Sequence, residues 1–159
     1  MKHLKIDDID LKILEILQKE GRISNLELSK RVQLSPPPCL RRLKALEEAG
    51  YIENYQANVS AEKLGFNVTV FVFITLKVQQ QKEMNDMIAQ IEKWDMVRES
   101  YMISGETDFI LKVVANSWEE FNRMLMEDIN AIPNVSNVRS ALAIRQNKYK
   151  AGVPLNTAE

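Results

Sequence analysis

Cysteine and histidine are almost missing from this 159-residue chain, which has one of each, Cys39 and His3. A single cysteine cannot close an internal disulfide, which fits a reducing compartment such as the cytoplasm. Long apolar runs are missing too. The longest lies within Val68 to Leu76, is interrupted by Thr69 and Thr75, and falls far short of the ~20 residues a membrane span needs. No basic stretch followed by an apolar core opens the chain, so no export signal is expected. A charge excess is the third absence: the formal net charge of −1 argues against a wholesale nucleic-acid coat.

Enzymatic equipment is equally sparse. His3 lies near the start, Cys39 falls on an apolar helix face, and no close carboxylate pair or glycine-rich phosphate loop stands where a cleft is expected. An enzyme built on the second half is therefore the weakest reading, although such folds host many chemistries. No cofactor and no metal site are expected.

What is present is the composition of a folded, soluble chain, with 45% apolar and 27% charged residues and room for one ordinary domain or two small ones. The charge is also unevenly placed. Residues 24–44 carry the five bases Lys30, Arg31, Arg41, Arg42 and Lys44 against the single acid Glu27, a basic face suited to touching phosphate with one surface.

That stretch reads as the second and third helices of a trihelical unit. Asp7 or Asp8 caps a first helix running to about Glu20, with Ile6, Ile9, Ile13, Ile16 and Leu17 on one stripe and Gly21 at its end. Ser24-x-x-Glu27 is a capping box that starts a second helix, and Ile23 before it can staple onto Leu28. Gln33 and Leu34 are left as a tight turn. Ser35 then caps a third helix whose first turn holds Pro36, Pro37 and Pro38, tolerated there because the first amides lack internal acceptors. Residues before proline resist the helical region, so regular helix is expected only from about Pro38.

At 100° per residue, Cys39, Leu40, Leu43, Leu46 and Glu47 share one arc, the inner face. Pro38, Arg41, Arg42 and Ala45 occupy the opposite side, with Pro37 and Glu48 at its margin. Two short helices, a two-residue turn and a basic second helix form a helix-turn-helix, whose second helix lies in the DNA major groove. Arg41 or Arg42 could contact guanine in bidentate fashion or hold phosphate, and the sequence leaves both open. Cys39 reads as a small buried residue.

Gly50 ends this unit. Tyr51 to Val59 reads as a short strand or extended linker, and Ser60 to Gly65 as one helical turn, with a domain boundary between residues 60 and 61. From Val68 the period is two: Val68, Val70, Val72, Ile74, Leu76 and Val78 face one way, and Thr69, Phe71, Phe73, Thr75 and Lys77 the other. A helix follows over Lys82 to Trp94, then strands over Val97 to Ile103 and Phe109 to Ala115 joined by the Ser104–Asp108 hairpin. Ser117-x-x-Glu120 caps a helix to about Ile132, Pro133 stops it, and a last strand runs from Val138 to about Tyr149. This order is the ferredoxin-like βαββαβ unit, a four-stranded antiparallel sheet with helices on one face. Its other face, bearing phenylalanines, asks for cover by a second copy. The fold class is therefore α+β, with a helix-turn-helix domain at 1–60 and a βαββαβ domain at 61–159.

Three stretches together resemble the Lrp/AsnC, or feast/famine, transcription regulators over nearly the whole chain. They are IDDIDLKILEILQKEGR, LSPPPCLRRLKALEEAGYI and the hairpin GETDF. The resemblance implies a winged-type helix-turn-helix and a RAM/ACT-like second domain in a cytoplasmic bacterial or archaeal protein that regulates transcription. The helix-turn-helix layout itself gives the expected DNA contact set: Ser24, Asn25, Lys30, Ser35, Pro36, Pro37, Pro38, Arg41, Arg42 and Lys44. The resemblance also implies dimers that assemble further, typically to octamers as a tetramer of dimers. An amino-acid effector such as leucine or methionine would bind between dimers near Gly105 and Asp108, lined by Met102, Ile103, Ser104, Glu106 and Thr107. The proline run departs from the commoner Ser-Pro-Ser-Pro opening and removes a hydroxyl at position 37.

On the residues alone, Gly105 and Asp108 read as a turn, glycine for positive φ and aspartate for a local backbone bond. Six of the seven methionines lie in the second half, where core filling is their ordinary role and an adaptable pocket a secondary one. An effector-blind architectural DNA binder of the same fold is the main alternative.

Overall fold

The structure is a computed structural model that describes residues 5–155, so His3 lies outside the described residues. The chain divides into two compact units: one up to Asn58 together with the segment from Lys148 onward, the other from Val59 to Asn147. The expected boundary between residues 60 and 61 thus meets a division just before it, and residues from 148 group with the first unit. The returning segment is tied down by the Val153 N–H, which donates to Gln18 Oε1 at 2.6 Å. Gly152 beside it adopts φ 77°, a left-handed conformation that favours glycine.

In the first unit, α1 (Asp8–Lys19), α2 (Asn25–Arg31) and α3 (Pro36–Glu48) follow from their caps. Asp7 Oδ1 accepts from the Asp10 N–H at 3.0 Å while the Asp7 N–H donates to Asp10 Oδ2 at 3.1 Å, a reciprocal capping box. At α2 only half of the expected box forms. Ser24 Oγ accepts from the Glu27 N–H at 3.2 Å, but the Glu27 carboxylate accepts from Arg31 Nε at 3.3 Å.

The turn into α3 passes through Gln33 in the left-handed region (φ 58°). There the Leu34 N–H donates to the Ser29 carbonyl at 2.8 Å, closing α2 in the manner a glycine usually serves. Helix α3 begins at Pro36 itself rather than near Pro38, because all three prolines sit within a first turn that needs no amide donors.

Ile13, Leu28, Val32, Cys39 and Leu46 form the core, with Ile6, Ile9, Ile23, Leu43 and Ile52 packed against it. Leu40, expected on the inner arc, is 40% exposed: it lies a full 100° from Cys39, at the edge of what the core can cover. Residues 51–59 adopt no strand and run as an irregular linker, with the Tyr55 hydroxyl donating to Glu47 Oε1 at 2.8 Å.

The second unit opens with a 3-10 turn, Glu62–Leu64, followed by β1 (Val68–Leu76), α4 (Gln81–Ile91), β2 (Val97–Met102), β3 (Phe109–Ala115), α5 (Trp118–Met124) and β4 (Val135–Leu142). The sheet order is β2-β3-β1-β4, with every pairing antiparallel. Val70, Val72, Ile74 and Leu76 of β1 and Phe109, Leu111, Val113 and Ala115 of β3 are buried with Met87 and Ile91 of α4 and Phe121 and Met124 of α5. On the opposite face Phe71 is exposed, and the Arg139 guanidinium stands 4.5 Å from the Phe73 ring centre.

Helix α5 continues as a π-helical turn over Leu125–Ile129, which buries Ile129. Strand β4 starts and ends earlier than its sequence pattern suggests. The Asn134 side chain holds both the N–H and the carbonyl of Val78, at 3.1 and 3.0 Å, so pairing begins at Val135. The strand ends at Leu142, opposite Val70, with one further bond from the Ala143 N–H to the Thr69 carbonyl at 2.9 Å.

The caps separate two serines that look alike in sequence. Ser24→Ala should cost about 1 kcal/mol, since an N-cap oxygen bonded to a helix amide is lost. Ser35→Ala should leave stability unchanged within the error of the measurement, since Ser35 makes no side-chain cap bond. Urea unfolding of the two variants checks this; equal losses would contradict it.

Candidate DNA-reading face and effector hairpin

The proline run changes what the start of α3 can offer. A capping serine accepts from the second or third helical amide, and here those positions are Pro37 and Pro38, which have none. The Ser35 hydroxyl consequently caps nothing. The first amide of the helix, that of Cys39, already donates to the Ser35 carbonyl at 3.3 Å. Helix starts commonly hold phosphate through free N–H groups. This one cannot, and any DNA contact there must come from side chains and pyrrolidine rings.

The residues expected to touch DNA fall into two groups. Asn25 is turned inward: its Nδ2 donates to the Pro36 carbonyl at 3.0 Å, and its Oδ1 is buried with no partner. Arg42 is likewise engaged. Its Nη1 donates to Asp7 Oδ2 at 2.8 Å and to Asp10 Oδ1 at 2.9 Å. Arg31 is occupied by Glu20 (Nη2 to Oε2, 3.0 Å) and by Glu27. Lys30, Arg41 and Lys44, in contrast, are exposed, and among the described residues no hydrogen bond or ion pair engages them. Ser24, Ser35, Pro36 and Pro37 are exposed and Pro38 partly so.

Asp7, Asp10 and Glu20 are thus site residues that the sequence did not mark. The Asp-x-x-Asp cap is visible in the sequence, but its pairing with an arginine more than thirty residues later is not. These contacts also set charge states. The Asp10 backbone N–H, aided by Arg42, holds the Asp7 carboxyl below its ordinary range, and Arg31 does the same for Glu20. Burial alone pushes the Cys39 thiol up, which suits an inert core residue.

In the second unit the hairpin brings Met102 through Asp108 together at the end of β2 and β3. Gly105 (φ 126°) makes the turn. Met102, Ile103, Ser104 and Glu106 are exposed, Thr107 is partly covered and Asp108 is buried. The Asp108 carboxylate is committed to the fold: Oδ2 accepts from the Leu76 N–H at 2.7 Å, while the Asp108 N–H donates to the Ile74 carbonyl at 2.9 Å. Thr75 Oγ1 adds a bond to the Glu106 carbonyl at 3.1 Å. The hairpin is therefore braced against the end of β1, with residues 102–106 exposed.

Two clefts open elsewhere on this unit. One of about 270 Å³ lies beside Trp94 and Arg98, and one of about 410 Å³ lies between Met87, Asp128 and Ile132; neither is lined by residues 102–108. Among the described residues no group of three or more His, Cys, Asp or Glu side chains could hold a metal ion, and no helix is long and apolar enough to cross a membrane.

A trihelical head with a basic exposed edge, followed in the chain by an antiparallel βαββαβ sheet, has the layout of a helix-turn-helix DNA-binding unit carried with a second, α+β domain. Residues 6–53 match the family model described as winged helix-turn-helix DNA-binding, and residues 69–153 match the Lrp/AsnC ligand-binding domain. The leucine-responsive regulatory protein of Rhizobium meliloti is 44% identical over 91% of this chain and 93% of its own length. The proline dehydrogenase transcriptional activator of Rhizobium radiobacter is 38% identical over 93% of this chain and 94% of its own. A Neisseria meningitidis transcriptional regulator, solved as its L-methionine complex, superposes with a TM-score of 0.91 at 34% identity, covering 96% of this chain and 98% of that one. The chain belongs to the Lrp/AsnC family of transcriptional regulators.

The lowered carboxyls give a pH prediction with a defined sign. A carboxyl depressed in the folded state adds stability above its ordinary pKa, about 4, and that stability is lost as pH falls through the depressed value. Thermal unfolding of wild type should therefore drop below about pH 4. A variant carrying Asp7→Asn and Glu20→Gln should lose less over the same interval. Asparagine still caps α1, so a steeper loss in the variant would contradict the assignment.

Proposed function

We propose that this regulator reads duplex DNA with the exposed edge of α3 and the start of α2. The contact residues are Ser24, Lys30, Ser35, Pro36, Pro37, Pro38, Arg41 and Lys44. The observation that carries this reading is the charge pattern on the head: of the five bases in this stretch, Lys30, Arg41 and Lys44 remain exposed and uncommitted. Contacts of this kind supply phosphate affinity, and an arginine can add bidentate recognition of guanine.

We further infer that the second unit assembles the chain into dimers through the open sheet face around Phe71 and Phe73, and into larger rings, up to a tetramer of dimers, in the cytoplasm. A small amino acid of the leucine or methionine type is the effector, held between dimers at the rim formed by Met102 through Asp108. The L-methionine complex of the Neisseria relative supports this class of ligand. The effector acts by stabilising one assembly over another, shifting the spacing of the reading heads. A second reading, an effector-independent architectural DNA binder, draws on the Asp108 carboxylate being committed to the Leu76 N–H rather than free for a ligand.

A thermal-shift panel of the twenty amino acids decides between them. An effector that binds only the folded state should stabilise the protein by about 2.7 kcal/mol when present at a hundred times its Kd. Light scattering should show a change of assembly size at the same concentrations. A flat panel with an unchanged assembly would favour the architectural reading.

A further inference from the structure

Arg41 and Arg42 are neighbours with equal claims on DNA in the sequence, yet they sit in opposite situations. Successive residues project 100° apart around a helix. That rotation sends Arg41 to the exposed edge of α3 and turns Arg42 toward α1, where its side chain is 34% exposed. There Nη1 meets Asp7 and Asp10 at 2.8 and 2.9 Å. The Asp10 side chain is only 8% exposed. Both carboxylates are already fixed by the α1 capping box, so the guanidinium docks into a preformed acceptor pair.

We infer that Arg42 is a positioning residue: it sets the angle of the reading helix on α1 through Asp7 and Asp10, and only Arg41 of the pair engages DNA. This rests on the DNA-reading face proposed above. Two carboxylates beside one guanidinium leave the cluster with one net negative charge. A phosphate approaching Arg42 would meet that charge as well as the cation, whereas among the described residues no carboxylate is paired with Arg41. A second brace acts on the same helix, since Asn25 Nδ2 holds the Pro36 carbonyl. Helix α3 is thus held at its first turn and again midway, leaving Arg41 and Lys44 on the free side.

The test uses the full-length protein and a random-sequence duplex of ~60 base pairs, because non-specific binding is governed by phosphate contacts and its salt slope counts them. Wild type establishes that a salt-dependent complex forms; its failure to bind would overturn the reading face itself. Arg41→Ala should flatten the plot of log K against log salt by about 0.9 for each engaged head. Arg42→Ala, measured at ~10 °C where folding is verified by circular dichroism, should give a line parallel to wild type but several-fold weaker. Arg42→Lys should recover part of that affinity, because a lysine can still reach the carboxylates.

The sharpest arm is Asp10→Asn. It removes a negative charge from a polyanion binder, yet on this inference it weakens binding, because the brace on α3 is loosened. Tighter binding by Asp10→Asn, or a flattened slope in Arg42→Ala, would make Arg42 a direct contact and overturn the inference. An unchanged line for Arg42→Ala would also overturn it, reducing the residue to a purely stabilising role. Should Arg42→Ala fail to fold, the Asp10→Asn and Arg42→Lys arms decide alone.

Discussion

The reading head depends on one guanidinium. Capping boxes are local devices that satisfy amides at a helix start, and the one at Asp7 and Asp10 would by itself say nothing about tertiary structure. By also accepting two hydrogen bonds from Arg42, it joins the first helix of the head to the last. Losing the arginine would leave Asp10 poorly solvated and without its counter-charge, a costly state for a carboxylate. The hydrophobic core holds α1 and α3 together, but apolar packing is non-directional. The ion pairs and the Asn25–Pro36 bond choose one rotation of α3 about its axis, and that rotation decides which side chains a groove can meet.

The same contacts shrink the electrostatic footprint. Counting charges along residues 24–44 gives five bases and one acid, but Asp7, Asp10 and Glu20 lie outside that window and are spatially inside the cluster. Each head retains only a few bases free to release counterions. Because α3 also begins with three prolines, its first turn supplies no main-chain amide to make up the difference. A head of this kind binds phosphate weakly alone. Several heads carried on one assembly raise affinity through effective concentration without any new contact, so the oligomerising role proposed for the second unit compensates for a lightly charged head.

Architecture was legible where physics is local. The β1 alternation, the Ser24 and Ser117 caps and the glycine at the hairpin are each short-range signals, and the sheet order follows from the sequence of elements. What was not legible is long-range. A helical wheel places Leu40 inward, but it gives angle and not the extent of the covering core, and Leu40 is exposed. The tether of Val153 to Gln18 joins segments at opposite ends of the chain. The start of β4 follows an asparagine side chain gripping Val78, and the π-helical turn after α5 coincides with the burial of Ile129. The arginine pair shows the limit most sharply: identical neighbours in sequence, separated only by what lies across from them.

Asp108 poses the corresponding question in the second unit. A carboxylate at a ligand rim would ordinarily be read as the partner of an amino group, but this one is buried and already accepts the Leu76 amide at 2.7 Å. Its contribution is rigidity: the hairpin is pinned to the end of β1, so its exposed face keeps a single shape. That face is exposed and lies outside the two clefts described above. A ligand held there is enclosed only if a second chain closes over it. Binding and assembly then become one equilibrium, and a ligand at such a rim cannot be bound tightly without also changing which oligomer is populated.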